Sequence, residues 1–175
     1  MSRVDVLEIA NTRGLVIFSE VNVPVSTASI TAGNCIHDGV LEFPNVFVHE
    51  TNAMVKPIAY EVREYNSGAV LQKKNLVIAF FRNNLLSVTA GQVEKVLSVD
   101  ALTGIELSLT CSSSSTYKNN NGDVVWAVKY GSLESSRYYI TKDASNSLYF
   151  VIRAGENLQY DNNTTLTIGM WFCIT

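Results

Sequence analysis

His37 and His49 are the only histidines in the chain, and histidine is the side chain best suited to move a proton near neutral pH. His37 stands next to Asp38 in a turn-like His-Asp-Gly, which suggests a base oriented by a carboxylate. Neighbouring residues on an extended chain point to opposite faces, so Asp38 is badly placed to orient His37. Neither histidine is therefore assigned a catalytic role. Hydrolase elbows, phosphate-binding loops, dinucleotide fingerprints, zinc-protease helices and kinase motifs are all missing from the sequence. The three cysteines, Cys35, Cys111 and Cys173, are odd in number and widely spaced. They fit neither a disulfide framework nor a paired metal site, and read as buried free thiols, with one disulfide plus a spare thiol as the alternative.

Two stretches are rich in oxygen donors. Lys118-Asn-Asn-Asn-Gly-Asp123 has the look of a calcium loop, but a twelve-residue loop with Gly122 sixth puts Tyr117 and Val128 where acidic ligands are required. A hairpin turn is the better reading. Asn162 and Asn163 head formal glycosylation triplets, which carry meaning only in a secreted chain. Tyr138 and Tyr139 are adjacent, so one faces inward and the other outward; an outward ring near Arg137 could stack on a sugar or a partner, or simply pack at an edge. No catalytic residue, metal site or cofactor is expected, and enzymatic activity is not expected either.

The elements that would position these residues are mostly strands. Leu15–Val25 contains Pro24, which marks an end or an edge, and Val40–Glu50 contains Pro44, at a bulge or a break between two short strands. Further strand-like runs are Lys56–Tyr65, Leu76–Asn83, Ile105–Cys111, Asp123–Tyr130, Arg137–Lys142 and Leu148–Ala154. The C-terminal segment alternates strictly: Leu166, Ile168, Met170, Phe172 and Ile174 form one apolar face. Trp171 and Cys173 imply that the other face is partly covered too. Turn residues at Asn66-Ser-Gly68, Asn121-Gly122, Ala154–Asn157 and Asp161–Asn163 separate the runs. Many short strands at near-regular spacing predict an antiparallel sandwich or barrel.

Two segments break the pattern. Thr89 with Gln92 three residues on has capping-box spacing, and Val93, Val96 and Leu97 would share a helical face, predicting a helix of about two turns. The Ser/Asn-rich stretch after Ile105–Cys111 cannot build a core and predicts a protruding loop, with Asn121-Gly122 favouring a tight turn. Ser112, Ser115, Tyr117, Lys118, Asn119 and Asn121 in it are the candidate partner contacts; the loop is either a contact arm or merely solvated.

Composition limits the function classes. Charged residues make up 17% of the chain, below the roughly 25% of average soluble proteins, which fits either partner-covered surface or a polar, uncharged exterior. With 16 acidic and 13 basic residues the net charge is −3, and no basic cluster is large enough to neutralise many phosphates, so nucleic acid is not an expected partner. The N-terminal stretch lacks the apolar core of a secretory signal, and no run is long enough for a membrane-spanning helix. A soluble product of its producing cell's cytoplasm is expected, with no membrane partner.

From Asn52 onward the order of features resembles a group of small tailed-bacteriophage virion proteins. The resemblance is carried by AYEVREYNSGAVLQKKNLVIAFFRNN, then VEKVLSVDALTGIELSLT, then SLYFVIRAGENLQYDNNTTLTIGMWFCIT. In that group a strand ending in two aromatics plus Asn precedes an irregular stretch; here these are Phe80, Phe81 and Asn83. The group closes on a Tyr, a small polar turn and an alternating aromatic strand, matched by Tyr160, Leu166, Ile168 and Phe172. This chain departs from the group in the short insert after the aromatic strand, which lacks an acidic–Asn pair, and residues 1–50 have no match.

The resemblance implies a jelly-roll-like body that coats or decorates capsids or sits in head fibres. The combined expectation is an all-β protein, a jelly-roll-like antiparallel β-sandwich with one short helix, spanning 15–175 as one domain, with 1–14 a candidate N-terminal arm. The expected function is a bacteriophage virion structural protein, a capsid decoration or auxiliary head protein that binds the major capsid protein or other virion proteins. It would be assembled in the host cytoplasm and located in the virion. Lattice symmetry suggests a homotrimer. The alternative is a head-fibre or tail-tip module recognising a host glycan or protein.

Overall fold

The computed structural model describes residues 16–47, 54–68, 71–110, 114–118, 125–132, 140–141 and 146–174. Eight strands form the framework: β1 (Val16–Val23), β2 (Leu41–Phe43), β3 (Met54–Asn66), β4 (Leu76–Phe81), β5 (Leu102–Leu109), β6 (Val125–Ser132), β7 (Leu148–Ala154) and β8 (Thr164–Ile174). The first sheet has the order β1-β8-β3-β6, with Ser114–Lys118 added outside β6 and Ile140–Thr141 paired to β3. The second sheet has the order β2-β7-β4-β5. Every pairing is antiparallel.

This order has a simple logic. Strands 1 and 8, 2 and 7, 3 and 6, and 4 and 5 are hydrogen-bonded neighbours, and successive couples lie in alternate sheets. The chain is thus one long hairpin ribbon folded back and forth over a sandwich, the jelly-roll topology. The all-β antiparallel sandwich expected from the spacing of the strands is the fold observed.

The C-terminal alternation explains how the two sheets meet. Leu166, Ile168, Met170 and Phe172 of β8 are all buried in the main core. Phe172 presents its edge to Phe43 of β2 and Phe80 of β4, with ring centroids 5.4 and 6.4 Å apart. Phe43 in turn stacks on Phe150 of β7 at 4.2 Å. Trp171 and Cys173, on the other side of β8, are buried in a smaller cluster with Ile58 and Ala59. Proline explains the one irregularity in this ladder: the β3–β8 register slips where Trp171 faces Ala59 but Phe172 faces Pro57. Pro57 has no N–H to give the ladder, and a bulge is how a sheet accommodates that.

Buried polar groups tie the layers together. The Tyr60 hydroxyl of β3 donates to the Thr110 carbonyl at 3.0 Å and accepts from the Thr110 N–H at 2.9 Å, linking the first sheet to the end of β5. Glu64, almost fully buried, accepts from the backbone N–H groups of Gln72 and Lys73 at 2.5 and 2.8 Å. Its carboxylate thereby clamps the β3–β4 connection.

Two expectations are corrected. The helix predicted over Thr89–Asp100 is absent: the segment turns at Ala90-Gly91, pairs Leu86–Ser87 with Lys95–Val96, and ends in a single 3-10 turn, Val99–Ala101. Gly91 takes a left-handed φ of 79°, and the side chain that turns inward is Glu94, which pairs with Arg153. Val93 and Leu97, which a helix would have set on one face, point to solvent. The Ser/Asn-rich loop is also shorter than expected, because Ser114–Lys118 forms a strand along β6. Residues 1–14, His49, Cys111, Asn121-Gly122 and Arg137–Tyr139 lie outside the described residues.

Candidate partner-binding surface

The outward side of the second sheet is not bare. Ala79, Phe81 and Val151 form a second apolar cluster there with Cys35, Leu86, Val88 and Ala101. The cover is a strap, residues 82–101, whose backbone is fastened at its Ala90–Gln92 turn and closed on itself at its base. The Cys35 N–H donates to Gln92 O and the Gly91 N–H to Cys35 O, at 2.8 and 2.9 Å. The Asn34 amide donates to Gly91 O at 2.7 Å, the Ala90 N–H to the Asp38 carboxylate at 2.9 Å, and Arg82 N–H to Ala101 O at 2.8 Å.

An ionic lock holds the middle of the strap. Arg153, on β7, grips Glu94 with two guanidinium nitrogens, the Nε contact being 2.9 Å, and reaches Glu106 of β5 at 2.7 Å. Burial works against the Glu94 charge, but the paired guanidinium outweighs it and holds the carboxyl below its ordinary range. The same two carboxylates push the Arg153 guanidinium further toward its charged form. Cys35 lies against Glu94, its thiol donating at 3.6 Å. Burial first, and then the Glu94 charge, push that thiol up to about 12. Such a thiol is a packed core group and not a nucleophile. Cys35 and Cys173 are both free and buried, in line with the free-thiol reading.

While its inner side packs on the sheet, the strap's outer side is apolar and wet. Val99 is 79% exposed, Leu97 65% and Val93 57%, with Leu85 and Val96, and the adjoining Leu102 of β5, also open. The Leu97 N–H bonds to the Leu85 carbonyl at 2.9 Å, and Val96 pairs with Leu86, so these side chains belong to one narrow structure. Val96 and Leu102 also line a shallow cavity of about 280 Å³ together with Phe81, Ile105 and the Arg153–Glu94–Glu106 lock. A fastened strap carrying exposed aliphatic side chains can bind an apolar segment of another protein. Contiguous apolar exposure of this kind marks interaction sites. Sequence reading missed this surface because it placed Val93, Val96 and Leu97 together on one face of a helix.

The residues singled out from sequence lie elsewhere. Ser115, Tyr117 and Lys118 are on the outermost strand of the first sheet, paired with Val128, Trp126 and Val125; Ser112, Asn119 and Asn121 lie outside the described residues. His37 is fully buried, and its Nε2 accepts the Ile152 N–H of β7 at 3.0 Å. The Asp38 carboxylate is spent on Ala90, so it does not orient the imidazole. Among the described residues no three metal-ligating side chains converge.

Neither a known protein-family model nor a curated protein matches the chain.

Proposed function

We propose that this protein is a bacteriophage virion structural protein, a capsid decoration or auxiliary head subunit that docks on the major capsid protein through its apolar strap. The observation that carries the reading is the row of exposed aliphatic side chains on a backbone pinned to the Asn34–Gly39 connection and tied to the second sheet through Glu94 and Arg153. Such a surface binds without first paying for its own ordering. The jelly-roll body adds a rigid carrier with few charges, and the likeness of residues 52–175 to tailed-phage virion proteins supplies the class of partner. Association would be a homotrimer seated at a symmetric lattice position, within virions assembled in the host cytoplasm.

Mass spectrometry of purified particles is the direct test. The protein is expected in many copies per particle, and in none when Leu97→Asp and Val99→Asp are combined. Particles that lack the native protein would end the proposal.

The second reading, a head-fibre or tail-tip module, draws on Ser114–Lys118 being the outermost strand of the first sheet, where an added strand or ligand can be met. Deleting Ser112–Asn121 would then abolish host-cell binding and leave particle incorporation unchanged.

A further inference from the structure

The outer face of the first sheet is ordered by register into rows that cross β1, β8 and β3. Phe18 pairs with Trp171, Glu20 with Gly169 and Asn22 with Thr167 on one side of β8. On its other side Gly169 pairs with Glu61, Thr167 with Arg63 and Thr165 with Tyr65. At ~3.4 Å per residue, the rows from Trp171 to Thr165 span ~20 Å. One end is aromatic: the Phe18 and Trp171 rings are 4.4 Å apart. Gly169 makes this possible, since a Cβ there would come within 2.8 Å of the Phe18 ring.

The middle of the face is a built polar array. The Arg63 guanidinium is held by Glu20 and, at 3.0 Å, by Glu61, whose own side chain is almost wholly buried. The Thr167 hydroxyl donates to the Asn22 carbonyl oxygen at 2.8 Å, leaving the Asn22 amide nitrogen as the donor end. Beyond it lie two shallow cavities that meet at Thr165. One, of about 310 Å³, is lined by Arg63, Tyr65, Thr165 and Thr167. The other, of about 480 Å³, runs past Asn22 and Pro24. Both fall within the ~300–1,000 Å³ of ordinary ligand sites.

We infer that this groove binds a neutral oligosaccharide. The Arg63 guanidinium is already held by two carboxylates, so it is poorly placed to attract an anionic sugar, sulfate or phosphate. Alternating fixed donors and acceptors match a ligand whose every hydroxyl both donates and accepts. The exposed Phe18 ring, lying over the buried Trp171, offers an apolar surface for the C–H face of a pyranose. The length of the array suits several sugar units in a row. The inference does not rest on the virion reading, because the strap lies on the other sheet and either can fail alone.

The full-length protein is applied to an array of neutral and of sialylated, uronic-acid and sulfated oligosaccharides, and the strongest neutral binder is titrated by calorimetry. Binding to neutral glycans is expected. Thr165→Trp, which plugs the junction of the two cavities from an exposed position, should weaken it at least tenfold, as should Tyr65→Ala. Leu97→Asp should leave it unchanged. Thermal melting shows that each variant is folded; if Thr165→Trp is not, Thr165→Arg is read in its place. Three results would overturn the inference: no neutral glycan bound at millimolar concentration, binding confined to acidic glycans, or neutral binding untouched by the folded Thr165 variant.

Discussion

His37 shows what one residue's surroundings do to its chemistry. A fully buried imidazole that accepts a backbone N–H through Nε2 must stay neutral. Burial accordingly lowers its affinity for a proton, and the nearby Asp38 and Gly39 carbonyls only partly offset this. The unfolded chain takes up its proton near pH 6.5, whereas the folded chain does so only at lower pH. In that window the unfolded state holds the extra proton, so stability is complete above about pH 6.5 and falls as the pH drops below it. Melting temperatures at pH 7.5 and 5.5 should therefore differ for the native protein, and differ less for His37→Gln. An equal pH response in both would refute this account, and His49→Gln serves as the control. The sequence placed His37 beside a carboxylate; only the fold shows that its partner is Ile152, distant in the chain.

At the scale of elements, β8 does most to hold the sandwich together. It lies between β1 and β3 in the first sheet, and its Phe172 meets both Phe43 and Phe80 of the second. Removing a buried aromatic from such a contact costs about 3–5 kcal/mol, so Phe172→Ala should lower the melting temperature by about 10 °C. Tyr60→Phe keeps the ring but leaves the Thr110 N–H without its 2.9 Å acceptor, for a loss of about 1–3 kcal/mol. Chemical denaturation of the two variants measures both effects; a Phe172→Ala midpoint equal to native would contradict the packing described. The strap is an element of another kind. Its fastening is mostly backbone to backbone, with the Arg153–Glu94 pair at its centre, so substitutions on its outer side should change stability by no more than about 0.5 kcal/mol.

For the molecule as a whole, the two sheets present two different surfaces. One carries aliphatic side chains on a pinned strap, and the other a polar groove with an aromatic end. A virion subunit, as proposed, would need this separation, because a surface used for assembly cannot also be open to a ligand. Size-exclusion chromatography with light scattering should give three times the 19.3 kDa chain mass. Leu97→Asp combined with Val99→Asp should keep that mass and lose only the particle. A strict monomer would remove the homotrimer from the proposal.

Strand content and the inward face of β8 were legible in the residue order, because period-two alternation is a local property. So were the end of β1 at Pro24 and the free, buried character of Cys35 and Cys173. The predicted helix failed for a physical reason. Its 3.6-residue pattern was genuine, but Gly91 in a left-handed turn and the pull of Arg153 on Glu94 outweighed local propensity. Nothing local could reveal that Glu20, Arg63 and Glu61 share one face, or that Leu85 lies beside Leu97. Those neighbourhoods exist only once the hairpin ribbon has wrapped, since register between distant strands decides which side chains meet. Order along the chain determined the strands, and pairing across it determined the surfaces.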